Sequence, residues 1–235
     1  MPVESKDASH AISTLNEGPL HAALKAWYAR PDDALEVLVD GYLVDIVRDG
    51  TLIEIQTSGF SPLKRKLAKL VEGYSVRLVY PIAREKWIVR MKGRGKKVLG
   101  RRRSPKHGGV ENLFEELVAL AALCAHPNLS VEVLLTQEEE IRRQYPDRAW
   151  RRRGWVTEER RLLDVVESRV FETPADFAAL LPDELDEPFD TAGLACAIGR
   201  PRRLAQKMAY CLREMGVLEP VGKRGNAVLH ARCLS

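Results

Sequence analysis

Residues Tyr42 to Thr57, which read YLVDIVRDGTLIEIQT, decide how the first half of the chain folds. Two runs of β-branched and aliphatic residues flank Asp49-Gly50, a dipeptide that favours a two-residue type I′ hairpin turn. With these two residues as the loop, Asp45 lies opposite Glu54 on the neighbouring strand. A second turn at Asp40-Gly41 folds the preceding strand onto the same ribbon, so the sequence predicts a three-stranded meander.

Alternation of side chains along the meander separates two faces. The first is predicted to be ordinary core and consists of Val37, Val39, Tyr42, Val44, Ile46, Ile53 and Ile55. The second mixes apolar residues with Glu36, Asp45, Glu54 and Gln56. Carboxylates that converge on a half-apolar face need a cation, a proton or a partner. Since Mg²⁺ is held by one or two carboxylates with waters and phosphate oxygens, this face is a candidate metal site.

Asp45 and Glu54 in this arrangement resemble the acids of the PD-(D/E)XK nuclease superfamily. The core of that superfamily runs helix, three-stranded meander, helix, strand. Its signature is an acid on the second strand and an acid-x-Lys on the third, where this chain has Gln56 in place of Lys. Glu17, just before a helix predicted around residues 13–30, matches the helix-borne Glu of many members. The resemblance covers about the first 135 residues and implies an α/β fold with a restriction-endonuclease-like αβββαβ core.

The resemblance also implies a Mg²⁺-dependent nuclease, with Mn²⁺ as an alternative metal. The implied metal ligands are Glu17, Asp45 and Glu54, and the implied catalytic residues are the same three together with Gln56. Glutamine can orient water by hydrogen bonds but lacks the positive charge that lysine holds near the phosphate.

Three residues near these acids have more than one interpretation. Lys64 and Lys66, in a helix predicted over residues 61–74, are candidates to supply the missing charge, with a solvated basic face as the alternative. Glu17 is also explained as a favourable charge at the positive end of a helix. His21 is interpreted as a surface or core histidine.

Residues 84–106 form a basic segment in which eleven Lys or Arg residues accompany a single acid, Glu85. We predict a basic β-hairpin or arm that follows a fourth core strand over residues 76–82. Contacts to phosphates release counterions and make binding strongly salt-dependent, whereas a solvated charge run is the alternative. The residues predicted to bind nucleic acid here are Arg90, Lys92, Arg94, Lys96, Lys97, Arg101, Arg102 and Arg103, together with Lys64 and Lys66.

The second half of the chain changes to helical periodicity. A helix over residues 110–124 and a strand over 130–136 complete a first domain, residues 1–136, and a charge-dense linker is predicted over 137–160. The remaining residues, 161–235, resemble a winged helix-turn-helix domain, which places its second helix in a DNA major groove. Its predicted helices cover Arg161–Val170, Pro174–Leu181, Ala192–Ile198 and residues 200–215, followed by a hairpin. The predicted DNA contacts are Arg200, Arg202, Arg203, Lys207, Lys223 and Arg224, although winged helices also serve as protein-interaction modules.

Composition excludes several classes of protein. Charged residues make up 30% and hydrophobic residues 45% of the 235 positions, as in a globular protein. No apolar run approaches the roughly 18 residues of a membrane span, and no signal peptide is recognisable, so we expect a cytoplasmic protein that does not contact a membrane. Four widely spaced cysteines without a CxxC pair give no support for structural zinc or a disulfide framework.

Three functions are therefore considered. The first is a metal-dependent DNA endonuclease positioned on DNA by the winged helix domain. The second is a catalytically inactive DNA-binding or regulatory protein that has kept the nuclease fold. The third is a scaffold that contacts only proteins. Nucleic acid, most of all DNA, is the expected partner, and a homodimer is left open.

Overall fold

The computed structural model describes residues 18–92, 95, 97–145 and 154–233. Helix α1 (Pro19–Tyr28) precedes the meander strands β1 (Ala34–Val39), β2 (Tyr42–Arg48) and β3 (Thr51–Ile55). A 3₁₀ turn (Ser61–Leu63) leads into α2 (Lys64–Leu70), then β4 (Val76–Met91) and β5 (Val98–Arg103). Two further 3₁₀ turns (Val110–Leu113 and Ala121–Ala125) flank α3 (Phe114–Leu117), before β6 (Leu129–Gln144) and β7 (Trp155–Phe171). The single helix predicted over residues 110–124 is therefore three short helical pieces.

These strands form one mixed seven-stranded sheet in the order β1-β2-β3-β4-β6-β7, with β5 paired to β4. The meander is antiparallel, while β3 and β6 both pair parallel to β4. Parallel neighbours need crossover connections, which the helical segments between β3, β4 and β6 provide. The α/β class and the three-stranded meander predicted from the sequence are confirmed.

The two faces of the meander are not the ones that simple alternation predicts. Ile46, Ile53 and Ile55 do share one face, and they pack with α1 in a small core. Val44, two residues before Ile46, instead belongs to the large core on the opposite side, with Val39 and Tyr42 packed against it. The assignment of all seven residues to one face is therefore wrong. The switch occurs at Asp45 and its neighbour Glu36, whose φ of +53° breaks the regular extended backbone.

A buried carboxylate fastens α1 to the sheet. Glu132 on β6 accepts hydrogen bonds from the Tyr28 hydroxyl at 2.5 Å and the Ser168 hydroxyl at 2.6 Å. Arg77 Nη1 lies 3.7 Å from the same carboxylate. Burial and the negative charge of Glu132 both raise the pKa of Tyr28. The network joins α1, β4, β6 and β7.

Replacing Glu132 by Ala is expected to lower the free energy of unfolding by about 1–3 kcal/mol, because the hydroxyls of Tyr28 and Ser168 would lose their shared acceptor. Urea denaturation monitored by circular dichroism measures this. Glu172→Ala is the matched control, since Glu172 contacts the same arginine, Arg77, from an exposed position, and an exposed ion pair contributes less than about 1 kcal/mol. Equal losses in the two variants would contradict the structural role assigned to Glu132.

The helix predicted over Arg161–Val170 is wrong, because this segment lies within the 17-residue strand β7. Three register shifts against β6 leave Glu158, Leu163 and Val166 as extra residues in β7. Such bulges lengthen the spacing between residues on one face, so a period of two comes to resemble a helical period. The predicted linker, residues 137–160, likewise contains paired strands, since residues 137–144 belong to β6 and residues 155–160 belong to β7.

The C-terminal elements are α4 (Pro174–Ala178), α5 (Thr191–Ala197), α6 (Arg202–Glu214), β8 (Leu218–Arg224) and β9 (Ala227–Arg232). Asp190 caps α5 by accepting hydrogen bonds from two backbone N–H groups of its first turn. Leu204 and Met208 of α6 are buried, as predicted, in the same large core as Phe114 of α3. The C-terminal elements thus share a core with the sheet. None of the described helices combines the length and apolar character that crossing a membrane requires.

Candidate active site

The two predicted acids lie where the pairing of β2 with β3 is interrupted. Backbone pairing ends at Ile46 and Ile53, and Oδ2 of Asp45 accepts a hydrogen bond from the N–H of Ile55 at 2.8 Å. The carboxylate of Asp45 thus binds a backbone donor next to Glu54, whose side chain is buried. The two acids therefore share one site although their residues are not paired in the β2–β3 ladder.

Lys66 of α2 is the cation of this site. Its Nζ lies 2.5 Å from Oε2 of Glu54 and donates a hydrogen bond to the carbonyl of Leu43. The contact with Glu54 is a short ion pair, which makes the ammonium group of Lys66 the charged partner of the buried Oε2. The sequence offered Lys64 and Lys66 as alternatives, and the structure places Lys66 at the acids and leaves Lys64 exposed.

The pKa values of the two carboxyl groups are shifted in opposite directions. Burial raises the pKa of Glu54 to about 7, the charge of Asp45 adds to the rise, and Lys66 opposes it. Burial alone would also raise the pKa of Asp45, but the imidazole of His21 and the other neighbours together outweigh it and hold this pKa below its ordinary value. The Ile55 N–H and the charge of Lys66 act in the same direction. Asp45 is therefore ionised at neutral pH, while Glu54 lies near the midpoint of its titration.

His21 was not singled out as a functional residue by the sequence. Its Nε2 lies 3.4 Å from Oδ2 of Asp45, so α1 contributes directly to the site. The available signal was the four-residue sequence spacing from Glu17 to His21, which within a helix would place two side chains on one face. Glu17 itself lies outside the described residues, and its predicted role stays a prediction.

Two other polar residues of the predicted acidic face are engaged elsewhere. The carboxylate of Glu36 forms an ion pair with Lys25 of α1, at 2.8 Å. The amide nitrogen of Gln56 donates to the carbonyl of Gly59 at 2.9 Å and lies 3.3 Å from the Ser58 hydroxyl. This amide therefore holds the loop that follows β3 in the described structure.

The basic arm is a hairpin, as predicted, formed by the end of β4 and by β5. Part of its charge is neutralised by acids of the sheet: Arg101 Nε lies 2.7 Å from Glu139, and Arg103 forms an ion pair with Glu85. The guanidinium of Arg90 lies 5.0 Å from the centre of the Trp155 ring. The exposed arm cations for which the described residues provide no ion-pair partner are Arg90, Lys92, Lys97, Arg102 and Lys106. Arg94 and Lys96 lie outside the described residues.

The cations predicted for the winged helix domain fall into two groups. Arg200 forms an ion pair with Glu111 and donates to the carbonyl of His107 at 3.3 Å. Lys207 lies 2.8 Å from Glu115. These two residues hold the start of α6 against the 3₁₀ turn and helix α3 of the sheet region. The remaining four are exposed, namely Arg202, Arg203, Lys223 and Arg224.

A family model described as "Domain of unknown function (DUF8091)" matches residues 18–172, which is more than half of the chain. The chain belongs to this family. An uncharacterized protein of Treponema pallidum (strain Nichols) is 33% identical over 225 residues, covering 94% of this chain and 87% of that protein. No solved structure matches the chain.

The DUF8091 segment runs from the residue before α1 to the residue after β7. It contains Asp45, Glu54 and Lys66 and the whole basic arm, as well as residues 137–160. The elements from α4 to β9 follow it. The Treponema pallidum relative aligns over a longer stretch than this segment.

Proposed function

We propose that this DUF8091 protein is a metal-dependent DNA endonuclease of the PD-(D/E)XK type, which hydrolyses phosphodiester bonds. The observation that carries the proposal is the convergence of Asp45, Glu54 and Lys66 from β2, β3 and α2. An acid pair with a nearby lysine corresponds to the acid, acid and lysine of the superfamily motif. Here the lysine comes from a helix rather than from the position of Gln56.

The residues present fit Mg²⁺ or Mn²⁺. Asp45 and Glu54 supply hard oxygen ligands, and the carboxylate of Glu54 is buried beside that of Asp45. The described part of the chain holds no group of three or more His, Cys, Asp or Glu side chains suited to a metal. Water and phosphate oxygens therefore would complete the coordination, as is usual for Mg²⁺. A bound Mg²⁺ would supply Lewis-acid stabilisation of the phosphate and a lowered pKa for bound water.

The protein side chains have distinct roles in this proposal. Asp45 is kept ionised and oriented by the Ile55 N–H and His21. Glu54 is held in a buried position from which deprotonation near neutral pH produces a second ligand. Lys66 keeps a positive charge beside both acids, where the scissile phosphate would lie, and stabilises the additional charge of the transition state.

We also propose that the C-terminal elements form a winged helix domain that positions the enzyme on DNA. The order helix, turn, helix, hairpin of α5, α6, β8 and β9 supports this assignment. The exposed cations Arg202 and Arg203 lie at the start of α6, and Lys223 and Arg224 lie on the hairpin. Because Arg200 and Lys207 are paired with acids of the sheet region, the exposed four are the better candidates for phosphate contacts.

A second candidate function is DNA binding without cleavage. The hydrogen bond from the Gln56 amide to the carbonyl of Gly59 favours this candidate. The amide nitrogen is engaged by the loop, so it does not donate a hydrogen bond to a water at the acids unless the loop rearranges. The same exposed cations would serve such a protein. The two candidates differ only in turnover.

The deciding experiment is nicking of supercoiled plasmid in Mg²⁺ or Mn²⁺ by the wild type, Asp45→Ala and Glu54→Ala. Removal of either acid is expected to lower the rate at least about a hundredfold. Glu72→Ala, which removes an exposed acid of the loop after α2, is the control and should cleave like the wild type. Binding of plasmid without turnover by the wild type would favour the second candidate. Equal cleavage by wild type and both site variants would contradict the nuclease proposal.

A further inference from the structure

The far part of the sheet extends beyond the core and has two unequal faces. We call it the sheet extension and define it as residues 85–91 of β4, strand β5, residues 137–144 of β6 and residues 155–162 of β7. The observed register fixes which side chains share a face, because paired residues lie on the same side and neighbours alternate. Counting charges on each face therefore requires only the register and the ion pairs.

One face, the paired face, is electrically neutral. Its four arginines each contact a glutamate, and three of these glutamates share the face by register while Glu158 is a bulge residue: Arg101 contacts Glu139 and Arg103 contacts Glu85. Arg143 contacts Glu158, and Arg161 lies 2.7 Å from Glu159. Most of the acids come from the segment that the sequence suggested as a linker.

The opposite face, the basic face, carries an excess of positive charge. It holds five cations, namely Lys86, Arg90, Arg102, Arg142 and Arg160, and two acids, Glu138 and Glu140.

Glu140 is shared between two of these cations, since Lys86 lies 3.4 Å and Arg142 lies 2.7 Å from its carboxylate. Arg90 and Arg102 are exposed and have no acidic partner within the described residues. The one-sided charge of the sequence is thus concentrated on one face.

Arg160 connects the basic face to the candidate active site. Its guanidinium lies 3.0 Å from the fully buried carboxylate of Glu138 and donates to the carbonyl of Thr57 at 3.0 Å. Thr57 follows Glu54 by three residues on the same segment. The basic face therefore begins at the end of the strand that carries Glu54 and runs outward along the extension.

We infer that the basic face is the surface that binds the phosphate backbone of DNA and leads it to Asp45 and Glu54, whereas the paired face makes no contact. This inference rests on the proposed function and deepens it. Lys86 and Arg90 are four residues apart on β4, or about 13 Å along the strand, which is enough for several phosphates of one DNA strand. The ring of Trp155 is covered by Arg90, so the contact is with phosphates rather than by stacking on bases.

The test compares two double variants that lower the net charge equally on opposite faces. Arg90→Gln with Arg102→Gln changes the basic face, and Arg143→Gln with Arg161→Gln changes the paired face. Binding of the full-length variants to a fluorescein-labelled 30-base-pair duplex is measured by fluorescence anisotropy. The buffer contains Ca²⁺, and the salt concentration is varied. The basic-face variant is expected to raise Kd roughly tenfold or more and to reduce the slope of log K against log salt by about 2, while the paired-face variant leaves both near wild type.

Each other outcome overturns the inference in a distinguishable way. Equal weakening by both variants, a larger effect of the paired-face variant, or no effect of either would overturn the assignment of the face, and wild-type plasmid cleavage would leave the nuclease proposal standing. Absence of duplex binding by the wild type would overturn both. Equal affinity for poly-glutamate with the same dependence on Arg90 and Arg102 would identify an acidic polypeptide instead. Should either double variant melt at a lower temperature than the wild type, the single variants Arg102→Gln and Arg161→Gln provide the same comparison.

Discussion

Replacing Lys66 by Met is expected to lower Mg²⁺-dependent nicking at least about a hundredfold, because it removes the positive charge proposed to stabilise the transition state. No other described side chain forms an ion pair with Glu54 and could replace this charge. The loss should also destabilise the protein in a pH-dependent way. Without Lys66 the buried Glu54 carboxylate would lack an ion-pair partner among the described residues, so unfolding free energy should fall more at pH 8 than at pH 5.5, where the carboxyl group is protonated. Nicking rates and urea melts at the two pH values measure both effects.

Lys64→Met is the control for this experiment. Lys64 lies on the same helix, α2, and carries the same charge, but it is exposed and lies outside the ion pair with Glu54. Its removal should leave nicking and the pH dependence of stability unchanged. If the two variants cleaved equally well, Lys66 would not be the lysine of the active site and the charge near the phosphate would have to come from elsewhere.

Replacing Glu54 by Gln is expected to stabilise the protein at pH 8. The pKa of Glu54 rises from its ordinary value of 4.5 to about 7 in the folded chain. The folded state therefore binds this proton more tightly than the unfolded state, so the contribution of Glu54 to stability is fully present below pH 4.5 and is lost as the pH rises through 7. An uncharged glutamine side chain at this position would avoid the loss, so Glu54→Gln should exceed the wild type by about 1–3 kcal/mol at pH 8 and by little at pH 5.

Glu140→Gln should behave in the opposite way and is the control. Burial alone would raise the pKa of Glu140, but hydrogen bonds from Thr157 and Arg142 and the charge of Lys86 lower it to about 2. Its carboxylate thus stabilises the folded state above its ordinary pKa, and the Gln variant should be less stable than the wild type at pH 8. Chemical denaturation at pH 5 and pH 8 measures both variants. A loss of stability at pH 8 in Glu54→Gln would show that the ion pair with Lys66 outweighs the cost of burying the Glu54 charge.

The meander and its acids were accessible from local patterns. Turn dipeptides determine hairpin register over a few residues, so the positions of Asp45 and Glu54 on adjoining strands followed from spacing alone. The switch of faces at Glu36 could not be predicted from the sequence. A positive φ at a glutamate depends on its surroundings, and the alternation of apolar and polar residues does not indicate it. His21 was missed for a related reason. A histidine on a helix gains a role only when the helix packs beside an acid.

Strand β7 shows why β-bulges lead to wrong predictions of secondary structure from hydrophobic patterns. Three extra residues in one strand shift the apolar positions toward helical spacing, and pairing with β6 then outweighs the local pattern. The acids of β6 and β7, assigned to a linker by composition, pair with arginines of the basic arm and of their own strands. The sequence therefore overestimated the free charge of the arm and could not assign it to a face.

The sequence by itself determined the α/β class, the antiparallel meander, the pair of carboxylates on β2 and β3, and the concentration of lysine and arginine after the fourth strand, because each depends on neighbours within a hairpin or a helical turn. The tertiary structure alone decided which lysine meets Glu54, which histidine meets Asp45 and which face of the extended sheet keeps its positive charge. These contacts join residues far apart in the chain, so they depend on packing of α1, α2 and β7 against the sheet, and local spacing holds no information about that packing.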